Sequence, residues 1–310
     1  MVEFRKLISF GKTSYVLSIP KEWVLKNNLK KGSLIAVSEK DKGLILFPNP
    51  DTQEKQIEKK TLVIDDLGVM TARYIHALYK KGIDEIDVSF NNPKLIEDVQ
   101  RALGKESVGY EIIDQKQNLC IIKNISGGLE GFDQLLRRTF LLLISMANES
   151  LETIKNKQYN RLKNIALLEE SNNRFTTSCR RILNKSGHKN VKLGPLYYIV
   201  EDLENIADYY KYLCNYIYDH KNENIKISKE ILAYFQEVNE MIRLFYETYY
   251  KFDKDKIVQI GVSRKNIVSG LHKVFESKKS SKFDIVIAHN LLVILQKIFC
   301  FIGPFLVNAL

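Results

Sequence analysis

The chain has 310 residues, room for roughly two or three domains, and its 45% apolar content supports buried cores. Its formal net charge of +10 favours partners bearing phosphates or other anions, with plain solubility as the alternative reading. The four cysteines, Cys120, Cys179, Cys214 and Cys300, lie far apart without a C-x-x-C pair, which argues against a zinc site or a secreted disulfide framework and leaves single buried cysteines.

The first ten residues, MVEFRKLISF, carry charge and alternation where a signal peptide needs an apolar run. A reducing cytoplasm is therefore expected. Within residues 1–48, RKLISFGKTSYVLSIP holds two short apolar runs split by Gly11-Lys12, and Pro20 suits the start of a short helix, KEWVLKNN. Trp23, Val24 and Leu25 of that helix are expected to be core residues. SLIAVSE and GLILFP form a second strand pair around a charged turn ending in Gly43. Pro48-Asn-Pro50 and DTQEKQIEKK then read as a linker over 49–60.

Residues 61–128 change character. TLVID, DEIDVSF, YEIID and LCIIKN read as strands. Between them, Ala72, Ile75, Leu78 and Tyr79 make one helical face stopped by Gly82, and Leu95, Ile96, Val99, Ala102 and Leu103 make another ending at Gly104. Gly127-Gly128 closes this small α/β segment. Residues 129–310 show almost no strand signal. Six helices are expected, near 132–156, 161–185, 194–220, 226–251, 254–278 and 283–310, arranged as a pair of three-helix bundles without a visible repeat between the halves. The apolar run Leu291–Leu310 is expected to be a buried last helix with Lys297 snorkelling to solvent, because Gln296, Lys297, Pro304 and Asn308 interrupt it. On this reading the chain is not an integral membrane protein. The fold class is α+β.

About 48 residues without a disulfide or metal bury too little surface to be stable alone, so a partner copy is expected to complete the first domain and cover its strand edges. That domain also carries Arg5, Lys6, Lys12, Lys21, Lys26, Lys30, Lys31, Lys40 and Lys42 against Glu3, Glu22, Glu39 and Asp41; nine minus four is +5. Arg5 to Trp23, R-K-L-I-S-F-G-K-T-S-Y-V-L-S-I-P-K-E-W, followed by L-K-K-G-S-L-I-A-V and G-L-I-L-F-P, resembles the swapped-hairpin domain of AbrB, MazE and SpoVT proteins over residues 3–48. The resemblance implies a dimeric β-barrel whose first hairpin meets DNA. By position it points to Arg5, Lys6, Lys12 and Lys21, with Thr13 and Ser14 as hydroxyls that position the backbone. The other reading is a solvated basic face on a dimerisation module.

Tyr198 to Leu213, Y-I-V-E-D-L-E-N-I-A-D-Y-Y-K-Y-L, is similar to the PhoU-type helix with an E-x-x-x-D motif in a "LERIADHA"-like run, through Leu203, Glu204, Ile206, Ala207 and Asp208. Glu201, Glu204 and Asp208 share one helical face, and Glu169 and Glu170 of the preceding helix are the acids that could join them. The resemblance implies a divalent metal there (Fe, Zn, Mn or Mg), with a solvated acidic face as the alternative. Asn173 stands where the family has a carboxylate, and L-Q-K-I-F-C at Leu295–Cys300 stands where a second motif would fall.

The order of hairpin domain, α/β segment and PhoU-like helices resembles an archaeal family of phosphate-uptake regulators. It implies a DNA-binding regulator of phosphate uptake, or a signalling adaptor acting on a phosphate transporter or kinase with the hairpins only dimerising. An antitoxin-like hairpin domain is a third reading. No P-loop, Rossmann fingerprint, H-E-x-x-H or G-x-S-x-G is present, so no enzyme is expected. His76 and His289, on apolar helices, are expected to be satisfied core histidines.

Overall fold

A computed structural model describes residues 3–40, 43–48, 57–126, 131–187 and 191–310. The turn Asp41-Lys42, the linker stretch 49–56 and Gly127-Gly128 lie outside the described residues. The chain is α+β and divides into two units, Met1–Ile57 and Glu58–Leu310.

In the first unit, β1 (Ile8–Phe10) pairs antiparallel with β2 (Ser14–Val16), Ile8 opposite Val16 and Phe10 opposite Ser14. Gly11 opens the turn at φ 71°, left-handed space that a side chain disfavours. The helix α1 (Lys21–Lys26) starts behind Pro20, whose fixed φ of −55° suits helix entry. β3 (Ile35–Lys40) pairs antiparallel with β4 (Gly43–Pro48), Val37 opposite Leu46 and Ser38 opposite Ile45. Partners that face each other in register share a sheet face. Val37, Leu44 and Leu46 therefore line one face of this hairpin, and Ala36, Ile45 and Phe47 line the other. No described side chain in this unit is buried. Phe4, Phe10 and Leu44 are 95%, 71% and 68% exposed. Trp23 and Val24 are only half-buried and Leu25 is exposed, so the expected core residues of α1 have no core within one chain.

The second unit opens with a four-stranded sheet in the order β5-β6-β8-β7. β5 (Lys59–Val63) runs parallel to β6 (Glu85–Ser89), joined by α2 (Thr71–Lys81). α3 (Ile96–Leu103) follows; β8 (Leu119–Asn124) pairs antiparallel with β6, and β7 (Tyr110–Lys116) pairs antiparallel with β8 at the sheet edge. Ile86, Val88, Cys120 and Ile122 alternate onto one sheet face and form a core with Ile75 and Tyr79 of α2 and Val99 of α3. The helical region holds α4 (Phe132–Lys155), α5 (Leu162–Ala166), α6 (Leu168–Ser186), α7 (Leu193–Asp219), α8 (Lys229–Tyr250), α9 (Lys254–Glu276), α10 (Lys282–Cys300) and α11 (Ile302–Ala309). α4, α6 and α7 pack together, as do α8, α9 and α10, and one continuous apolar core runs through both groups.

Several expectations change. The helix expected over 161–185 is interrupted at Leu167, where nothing in the sequence marks a break. The last helix is interrupted at Phe301; Pro304 conflicts with the carbonyl four residues back, at Cys300. Lys297 does not snorkel. It reaches Asp202 of α7 at 2.8 Å, and Asp202 is buried. The stretch Lys282–Ala309 is long and apolar enough to cross a membrane by length and composition, with 44% of its most apolar window buried inside the protein. His289 is exposed. His76 is buried, with Nε2 2.9 Å from the Ala102 carbonyl and Nδ1 3.2 Å from Glu106.

The α/β segment and the helices share one unit because α2 packs on α6. The joint is polar and lies between two separate apolar clusters. Arg181 is buried and donates to the carbonyls of Tyr79 (2.8 Å) and Ile83 (2.7 Å) and to Asp84 (2.9 Å). Its guanidinium lies 4.8 Å from the Tyr79 ring centroid. It thus satisfies carbonyls at the end of α2, which has no further helical turn to pair them.

Candidate nucleic-acid interface and acidic helix face

The six residues expected at DNA all lie in the first unit and all are exposed. Arg5 and Lys6 precede β1, at the open end of the first hairpin. Lys12 and Thr13 form its tip, and Ser14 is the first residue of β2. Lys21 is the first residue of α1. A single hairpin therefore separates Arg5 and Lys6 from Lys12 and Thr13 by the length of β1. Arg5 is bonded to Glu3. From Ile8 to Lys21 there is no acidic residue, so the tip presents uncompensated positive charge. Lys26, Lys30 and Lys31 are also exposed and follow in and after α1. They enlarge the basic surface beyond the residues the hairpin pattern singles out.

On the acidic face, Glu169, Glu170, Glu204 and Asp208 line one cleft of about 370 Å³. Glu201 is not among its lining residues. The antiparallel neighbours α6 and α7 thus do gather the acids, but cations come with them. Arg180 is fully buried and bonds both Glu201 and Glu204. Thr176 donates to Glu204 at 2.7 Å. Lys211 reaches Glu169 at 2.9 Å and Asp208 at 2.5 Å. Asn173 donates to Glu169 at 2.6 Å, as an amide can and a carboxylate cannot. Burial pushes the Glu169 carboxyl up, Lys211 opposes this, and the Asp208 charge adds to the rise.

The expected divalent metal does not fit this donor set. Among the described residues no three His, Cys, Asp or Glu side chains are placed to hold one ion. Glu201 and Glu204 already share Arg180, Glu169 and Asp208 already share Lys211, and the same cleft is lined by Arg73 and Lys105. The Asp208–Lys211 spacing is visible in sequence as an i, i+3 pair. Arg180 is not, because its partners lie on another helix.

All four cysteines are free, with Cys300 exposed. Burial pushes the Cys120 thiol up to about 11 and those of Cys179 and Cys214 to about 12, so these three are inert at neutral pH.

No curated protein matches the chain. Residues 9–54 match the family model of MazE, described as antidote-toxin recognition MazE, bacterial antitoxin, and the hairpin unit is therefore similar to that family.

Proposed function

We propose that the first unit is a homodimeric DNA-binding domain and that the protein is a cytoplasmic transcription regulator. The observation that carries this is a unit whose β3–β4 hairpin is apolar on both faces and which has no described buried side chain, over a stretch that matches the MazE family model. A second copy interleaving its hairpins would cover those faces and place two basic tips on one side of the dimer. Phosphate backbones are the natural partner for an uncompensated lysine such as Lys12 at such a tip. Arg5, Lys6, Lys12 and Lys21 contact DNA, with Thr13 and Ser14 aligning the backbone.

The helical unit then senses or binds a partner. The PhoU-like run Leu203–Asp208 supports phosphate uptake as the regulated process. The MazE match also favours a second reading, an antitoxin whose dimer recognises a toxin.

The test is DNA binding by the full chain across a salt series. Lys12→Ala and Arg5→Ala should each weaken binding and reduce the log–log salt slope by about 1 per phosphate contact removed, so by about 2 per dimer. Unchanged affinity and slope in both variants would place the DNA face elsewhere.

A further inference from the structure

The acidic face between α6 and α7 has the outline of a cation site with the cation already built in. Lys211 leaves α7 and lies between Asp208 on its own helix and Glu169 on α6, at 2.5 and 2.9 Å. Glu169 is 7% exposed, so the pair is not a solvated surface contact. A divalent ion bridging the two helices would need the oxygens that this ammonium holds. One turn away, Arg180 neutralises Glu204 from the buried side. Arg73 and Lys105 face the cleft and have no ion-pair partner among the described residues. Six acids (Glu106, Glu169, Glu170, Glu201, Glu204, Asp208) are thus met by four cations (Arg73, Lys105, Arg180, Lys211). An incoming ion would find an ammonium already in its place.

We propose that Lys211 is the resident cation of this face. It ties α6 to α7 in the position a divalent ion would bridge, so the helical unit is assembled without metal. Removing Lys211 alone turns Glu169 and Asp208 into an oxygen-ligand site that accepts a divalent ion. This inference does not depend on the DNA-binding reading.

The experiment uses the full chain, stripped with chelator and titrated with manganese chloride. Melting temperature is one readout and the loss of the free manganese electron-paramagnetic signal is the other. The wild type and Lys211→Arg should show neither a shift nor bound manganese. Lys211→Ala should melt lower without metal, then bind about one ion per chain and regain at least about 3 °C. The double variant Lys211→Ala, Asp208→Asn should lose that response. Lys211→Met, which keeps the aliphatic packing, serves if the alanine variant is unfolded in chelator; folding restored by manganese supports the proposal. Wild-type binding that Asp208→Asn abolishes would overturn it. So would lysine-free variants that ignore manganese, folded or not.

Discussion

Asp84 shows how much one carboxylate can organise. Burial alone would push its carboxyl up. The Lys185 ammonium, the Glu58 N–H and the Arg181 guanidinium outweigh that and hold it below the ordinary value. A carboxylate with a depressed folded pKa contributes stability that is present above its unfolded value, about 4, and is lost as pH falls through the folded one. Asp84→Asn should therefore cost about 1.5–3 kcal/mol at pH 7, the range for a hydrogen bond to a charged group. The gap between variant and wild type should shrink as pH falls through the folded pKa. Urea unfolding at pH 7 and in acid measures both, and a gap independent of pH would refute the role assigned to Asp84.

Among the elements, α8 and α9 approach closely at Gly270. A Cβ on Gly270 would lie 2.2 Å from the Tyr234 hydroxyl oxygen and 2.3 Å from its ring carbon. Tyr234 also donates to Glu230 at 3.2 Å, which favours the ring position that blocks the space. Gly270→Ala should destabilise by about 1–3 kcal/mol through overpacking. Tyr234→Ala should recover most of that in the double variant, because neighbours couple where distant sites add. Additive losses in the denaturation cycle would show that the ring is not the obstacle. The last helix is expected to run unbroken over 283–310; Pro304 explains its interruption at Phe301, whereas the one at Leu167 has no local signal.

For the whole molecule, the first unit is the decisive part. Phe10 on β1 is 71% exposed in one chain. If a second copy covers it, burial is worth about 1.5–3 kcal/mol per side chain, counted twice in a dimer. Phe10→Ser should then weaken dimerisation at least about a hundredfold. Light scattering across a dilution series reads this directly. Wild-type protein that is monomeric at micromolar concentration would remove the basis for the dimeric reading.

What the sequence determined by itself was local. Alternating apolar residues, Gly11, Pro20 and Gly82 located strands, turns and a helix stop, and a long 3.6-residue period located the helices, because these signals depend on near neighbours along the chain. The basic hairpin tip was legible for the same reason. The tertiary structure decided what the charges do. Glu201 and Glu204 read as metal ligands until Arg180 is placed against them from α6, and Lys297 reads as a snorkelling lysine until Asp202 of α7 meets it. The joint of Arg181 with the end of α2 was equally invisible, since its partners lie about a hundred residues away. A buried charge takes its role from the opposite charge or carbonyl that packing brings within reach, and packing brings together side chains that the linear order keeps apart.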